Sequence, residues 1–192
     1  MNFLNRLKTL VLVAALCIMP ALGADTFKID TSHSSIMFAA KHFGAAWNYG
    51  RFNDFEGTVV FDEANLAATK VDVKIVAKSI DTNNERRDKH LRSPDFFNAA
   101  QFPDITFKSS KVEVDGETMK IHGELAMLGK KQNVVVTLAK SGEGTGMDGG
   151  KLVGFHGEAS FKRSDFGMNY GVGNGALSDE VKIVISIETK KV

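Results

Sequence analysis

The chain has one cysteine, three prolines, one tryptophan and two tyrosines in 192 residues, and each scarcity excludes something. A single cysteine, Cys17, cannot build a disulfide framework. Three prolines beside 18 glycines rule out collagen-like and proline-rich architectures. Charge of one sign is missing as well. With 24 Lys+Arg against 23 Asp+Glu the formal net charge is +1, which supplies no pull towards phosphate backbones, so no nucleic-acid partner is expected. No zinc-protease HExxH, nucleophile-elbow GxSxG or phosphate-binding GxxxxGKS/T pattern occurs. What remains is 43% hydrophobic residues, enough for a core, in a length that suits one domain or two small ones.

Met1 to Lys8 carries Arg6 and Lys8 and no acid, Thr9 to Ala21 is almost wholly apolar, and Ala21-Leu22-Gly23 offers small residues where a signal peptidase reads. This pattern predicts a cleavable secretory signal peptide over residues 1–23, a mature domain over 24–192 and a periplasmic address. The apolar run is well short of the roughly 20 residues that span a bilayer. Cys17 follows Leu16, which is not the small residue that a lipoprotein pattern requires. Without Cys17 the mature chain holds no thiol, which suits an oxidising compartment.

From Phe27 onward apolar residues alternate. The rows are Ile36, Phe38, Ala40 and His42; Phe55, Gly57, Val59 and Phe61; Val71, Val73, Ile75 and Ala77; Ile105 and Phe107. They continue as Met119 to Met127, Val134 to Leu138, Val153 to Phe161 and Val181 to Ile187, each at every second residue. Period two over eight or nine segments predicts antiparallel strands with one buried face. Asp115-Gly116 predicts a hairpin turn, and Ser141–Gly150 a flexible connection. Thr82-Asn83-Asn84-Glu85 fits a capping box and Ser93-Pro94 a second helix start, predicting short helices over about Asn83–Arg92 and Pro94–Ala99. Such a sheet must close on itself or pack on another. The Phe residues mixed with Gly or Ala in the inward rows mark either bends or space left for a ligand.

His33-Ser34, Trp47-Asn-Tyr-Gly-Arg-Phe52, Asp54-Phe-Glu-Gly57, Ser79-Ile-Asp-Thr82 and Arg87-Asp-Lys-His-Leu-Arg-Ser93 resemble the YceI-like family of exported bacterial proteins. The likeness continues through Asp95-Phe-Phe97, Phe102-Pro103, Ile105-Thr-Phe-Lys-Ser109, Gly123-Glu-Leu125, Lys162-Arg-Ser-Asp-Phe-Gly167 and Ser178-Asp-Glu-Val181. It covers essentially the whole mature chain. The resemblance implies an all-β fold: a lipocalin-like antiparallel β-barrel of about eight strands with a short helical insertion. It further implies a long pore holding an amphiphile such as a polyprenyl phosphate, an isoprenoid quinone or a fatty amide, in a carrier linked to stress responses. The bound lipid stands in place of any cofactor, no enzyme activity is expected, the family tends towards homodimers, and peripheral membrane contact is an expectation that rests on Trp47 and Tyr49.

A prenyl tail gains roughly 0.8 kcal/mol per buried methylene, so an apolar wall suffices to hold it. The expected lining is Ile36, Phe38, Ala40, Phe55, Val59, Phe61, Val73, Ile75, Phe107, Leu125, Phe155 and Phe161, with a filled core as the alternative. For the polar head the candidates are His42, Arg86, Arg87, Asp88 and His90. Ion pairs tying the helix to the barrel are the alternative for Arg87 and Asp88, and a buried, hydrogen-bonded imidazole the alternative for His42. Trp47 and Tyr49 are expected in a loop, as a gate, a membrane-touching tip or ordinary packing. His122-Gly-Glu124 and His156-Gly-Glu158 face water by phase, so no metal site is expected. Two other readings stay open: a protein-binding stress factor that uses the barrel as scaffold, and an enzyme built on His42 with Asp88 or Asp165.

Overall fold

The computed structural model describes residues 23–192; the expected signal peptide, Gly23 apart, and Cys17 lie outside the described residues. Ten strands and one helix follow in order: β1 Asp25–His42, β2 Ala46–Phe52, β3 Phe55–Phe61, β4 Lys70–Val76, β5 Ile80–Asp81, α1 Glu85–Leu91, β6 Asp104–Asp115, β7 Thr118–Met127, β8 Lys130–Thr145, β9 Lys151–Lys162 and β10 Glu180–Lys191. All pairings are antiparallel. Running β10-β9-β8-β7-β6-β4-β3-β1, with β1 pairing back onto β10, the sheet closes into an eight-stranded barrel.

The long β1 serves two neighbours on its other edge. Asp25 to Lys28 pair with β3, and Ile36 to His42 pair with β2. A register shift between Asp30 and Ser35 marks the changeover. Because β2 leaves the barrel wall to pair with β5 at Arg51 and Phe52, one end of the barrel has a short two-stranded extension beside it. The extension and α1 form one edge of that end.

The period-two rows point inwards as the sequence indicates, and the hairpin at Asp115 turns through Gly116 at φ +60°, a conformation that favours glycine. Three local expectations are corrected. Asn84, not Thr82, caps α1, its side chain accepting from the Arg87 N–H at 3.0 Å. Pro94–Ala99 is not helical. Phe96 and Asn98 both donate to the Ser93 carbonyl, and Asn98 at φ +42° turns the chain away from a helical course. Ser141 to Thr145 continue β8, leaving only Gly146–Gly150 as the turn, because a bulge between Lys140 and Gly142 lets the glycine-rich stretch keep pairing with β9.

Candidate functional site

Side chains of the inward rows do not fill the barrel. One half is solid: Phe27, Val59, Met119, Val153 and Phe155 are wholly buried there, and Phe61 meets Phe155 edge-on with centroids 5.2 Å apart. The other half holds a cavity of about 570 Å³, within the size range of small-molecule sites. Along β10 its wall runs from Val181 through Ile183 and Ile185 to Ile187. Six residues of strand cover roughly 20 Å. With a strand tilt near 40° the depth along the axis is roughly 15 Å.

Of the expected lining, Ile36, Phe38, Ala40, Val73, Ile75, Phe107, Leu125 and Phe161 face this cavity. Phe55, Val59, Phe61 and Phe155 do not; they pack in the solid half, so the hollow is blind rather than a pore. Alternation tells which side of a strand a residue faces and carries no information on depth. The rows of β7, β8 and β10 and Leu91 of α1 complete the wall, together with Phe96, Phe97, Met168 and Leu177 from irregular segments. These last had no periodic signal by which to be found.

Glycine enters the wall for a reason that is neither bend nor void. Phe38 lies across Gly50 and Phe107 across Gly123, each ring occupying the place where the glycine would carry a Cβ. Phe38 pairs with Gly50 directly across β1 and β2. The rings therefore recline on the sheet instead of standing in the lumen, and the bore stays open.

The polar residues lie at the open end. Arg87 donates through Nε to the Thr82 hydroxyl at 2.7 Å, through Nη2 to the Thr82 carbonyl at 2.8 Å, and through Nη1 to Asn48 Oδ1 at 3.4 Å. Asp88 is buried and accepts from the Thr82 N–H at 2.9 Å and its hydroxyl at 2.5 Å. Thr82 thus links the two, and no direct Arg87–Asp88 ion pair ties α1 down. Arg92 performs that task, donating to the carbonyls of Lys78 and Ile80 at 2.8 and 2.7 Å. Arg87 and His90 border the cavity, His90 meeting Asp95 at 2.9 Å; Arg86 is exposed and does not border it, and Asp88 is spent on Thr82. His42 is exposed at the mouth, edge-on to Phe43 at 4.6 Å, rather than buried. Trp47 and Tyr49 belong to β2 rather than a loop; the β1–β2 connection is Phe43–Ala45.

The segment between β9 and β10 borders the mouth beside β1, where Leu177 bridges to His42. Arg163 is buried beneath it and donates to four carbonyls: Ser178, Met168, Tyr170 and Leu177, at 2.8 to 3.3 Å. Burial pushes its pKa down, partly offset by the Asp179 charge, and the four acceptors stand in for water around the guanidinium. Lys162-Arg-Ser-Asp was visible as a motif, but nothing in the sequence marked Arg163 as buried. Asp165 accepts no hydrogen bond from His42 among the described residues, and neither does Asp88. On the outer wall Asp30, His33 and Glu188 converge within 4.8 Å. The Asp30–His33 hydrogen bond at 2.9 Å, seconded by the neighbouring charges, raises the pKa of His33, and the same hydrogen bond with the Ser32 N–H lowers that of Asp30. These three act as a solvated ion cluster.

The YceI-like domain family matches residues 27–189. Protein YceI of Escherichia coli O157:H7 is 43% identical over 170 residues, which is 88% of this chain and 87% of that protein. Among solved structures, Burkholderia cenocepacia BcnA superposes with a TM-score of 0.74 at 25% identity, covering 83% of this chain and 98% of its own. A polyisoprenoid-binding domain from Saccharophagus degradans, implicated in plant cell wall breakdown, has the same fold at 14% identity, with a TM-score of 0.66 over 88% of this chain and 99% of its own.

Proposed function

The chain belongs to the YceI-like family, and on that premise we propose that it is a binding protein for a long-chain amphiphile, tail inward and head at the mouth. The observation that carries this reading is the blind apolar cavity with its polar residues gathered at the single opening. Hydrocarbon entering it leaves water at a gain of roughly 0.8 kcal/mol per methylene and finds no polar group along the wall to desolvate. Near the head, Arg87, His90 and Asn48 offer donors for one oxygen-bearing group, so a prenyl phosphate, a quinone or a fatty amide all satisfy the chemistry. The polyisoprenoid-binding domain with the same fold favours the isoprenoid members of that set.

A carrier role and a periplasmic location are part of the proposal, the second resting on the basic-apolar-small pattern of residues 1–23. Catalysis has less support: the pairing of His42 with Asp88 or Asp165 on which that reading rested is not assembled. The test is organic extraction of gently purified protein followed by mass spectrometry, with titration of the emptied protein by prenyl lipids. Recovery of an isoprenoid or saturable uptake supports the reading. An empty cavity that takes up none overturns it.

A further inference from the structure

We propose that the open end of the barrel docks on the surface of a membrane containing anionic lipid, setting the cavity mouth against the leaflet. This rests on the reading of the cavity as a site for a lipid tail, and it adds where that tail is collected or delivered.

Three observations at one end of the molecule carry it. The first is a set of exposed aromatics: Phe43 at the tip of the β1–β2 hairpin is 66% exposed, Tyr49 on the outer face of β2 59% and Tyr170, between β9 and β10 and against His90, 48%. Phe43 at φ +47° and Gly44 at φ +66° are the central residues of the tight hairpin turn that the Ala45 N–H closes on the His42 carbonyl at 3.0 Å, and the Phe43 N–H bonds the Ala176 carbonyl beside it at 2.9 Å. The turn leaves the Phe43 ring, packed only edge-on against His42, two-thirds exposed, which suits an apolar medium outside the protein.

Second, Trp47 lies on the outer wall between two ammonium groups, Lys41 at 5.2 Å and Lys182 at 4.8 Å from its ring centroid. An amphipathic indole bracketed by cations suits the headgroup layer, where tryptophan and lysine anchors gather. Among the described residues none of Lys41, Lys182, Arg86 and Lys89 is paired with a carboxylate. Of the acidic groups near the mouth, Asp95 meets His90, Asp179 and Asp88 accept hydrogen bonds from Ser164 and Thr82, and Glu85, Asp165 and Glu180 are exposed. Unpaired lysines are free for anionic headgroups, each worth on the order of a fivefold gain in binding.

Third, the depths agree. The hydrocarbon core of a bilayer is about 30 Å thick, so one leaflet is about 15 Å, close to the depth of the cavity. A tail could pass from one to the other without crossing water.

The experiment is flotation of the purified protein with vesicles of phosphatidylcholine alone or of phosphatidylcholine with phosphatidylglycerol, while following Trp47 emission, the chain's only tryptophan. Flotation with the anionic vesicles, a blue shift of the emission and release by added salt are expected. Lys41→Glu with Lys182→Glu should weaken flotation on the order of tenfold or more and leave uptake of geranylgeraniol from solution unchanged, since both side chains lie outside the barrel. Wild-type protein that fails to float on either vesicle overturns the proposal and leaves a protein as the occupant of the patch. So does a charge-reversed variant that floats as well as wild type. Salt release on the wild type decides the matter if the variant does not fold. Failure of geranylgeraniol uptake with flotation intact would count against the cavity reading, not against docking.

Discussion

The two halves of the barrel share one alternating pattern and use it oppositely. At one end Phe27, Val59, Phe61, Met119, Val153 and Phe155 interlock, and three lysines of that rim are paired: Lys140 with Glu63 and Glu143, Lys190 with Asp148, Lys191 with Asp25. At the other end Phe38 and Phe107 lie flat on glycines, the lumen stays open, and aromatics and unpaired cations meet solvent. The same residue types make core where opposing strands bring bulk against bulk, and wall where bulk lies against glycine. Stability is concentrated in the first arrangement, because packing gains depend on partner atoms on every side. Binding belongs to the second.

Substitutions can break or sharpen this contrast. The largest expected effect is on uptake: Phe38→Arg should leave a folded barrel and abolish binding of prenyl lipid, because it places a guanidinium charge in an apolar lumen. Circular dichroism with a lipid titration checks both halves of the statement, and a folded variant that still binds would remove Phe38 from the wall. Next is Phe155→Ala, which should cost about 3–5 kcal/mol in urea unfolding, with Phe38→Ala costing less than half as much, since its ring already borders empty space. Equal losses would erase the distinction between the ends.

Arg163→Met should follow, at about 2–3 kcal/mol, by leaving the carbonyls of Met168, Tyr170, Leu177 and Ser178 without their donor. Hydrogen exchange should then rise over 168–178 more than in the solid end. Gly50→Ala is milder for stability, since the atoms met are the side chains of Phe38 and Thr82; the ring must swing into the lumen, so lipid uptake should fall by about tenfold, near 1.4 kcal/mol. The smallest effect is in pH. His33, whose pKa is raised in the folded protein, contributes stability fully below its unfolded value and loses it as pH rises through the folded value. Asp30, whose pKa is lowered, contributes above its unfolded value and loses it as pH falls through the folded one. Their joint contribution is therefore complete between roughly pH 4 and 6.5. His33→Gln should flatten the upper edge of that window in melting curves while leaving lipid uptake unchanged.

The strands and their inward faces were legible from period two alone, and the barrel's closure followed from a sheet with one apolar face. Depth was not legible. Phe38 and Phe155 stand in equivalent phase on their strands, and only the three-dimensional register shows that one meets Gly50 and the other Phe61. The charged turn over residues 86–92 was visible as a cluster, but its division of labour was not. Arg87 borders the cavity, Asp88 serves Thr82 and Arg92 holds β5, because these roles depend on which carbonyls and hydroxyls folding brings near. The turns over 93–103 and the segment 166–177 contribute wall without any periodicity to announce it.

A vessel with one doorway imposes an order on traffic. Whatever enters tail-first leaves tail-last, so the occupant is always presented by the same end, and a second molecule has to wait for the first to go. Longer tails would be let go more slowly than short ones, each added methylene slowing departure by about fourfold until the packed half is reached.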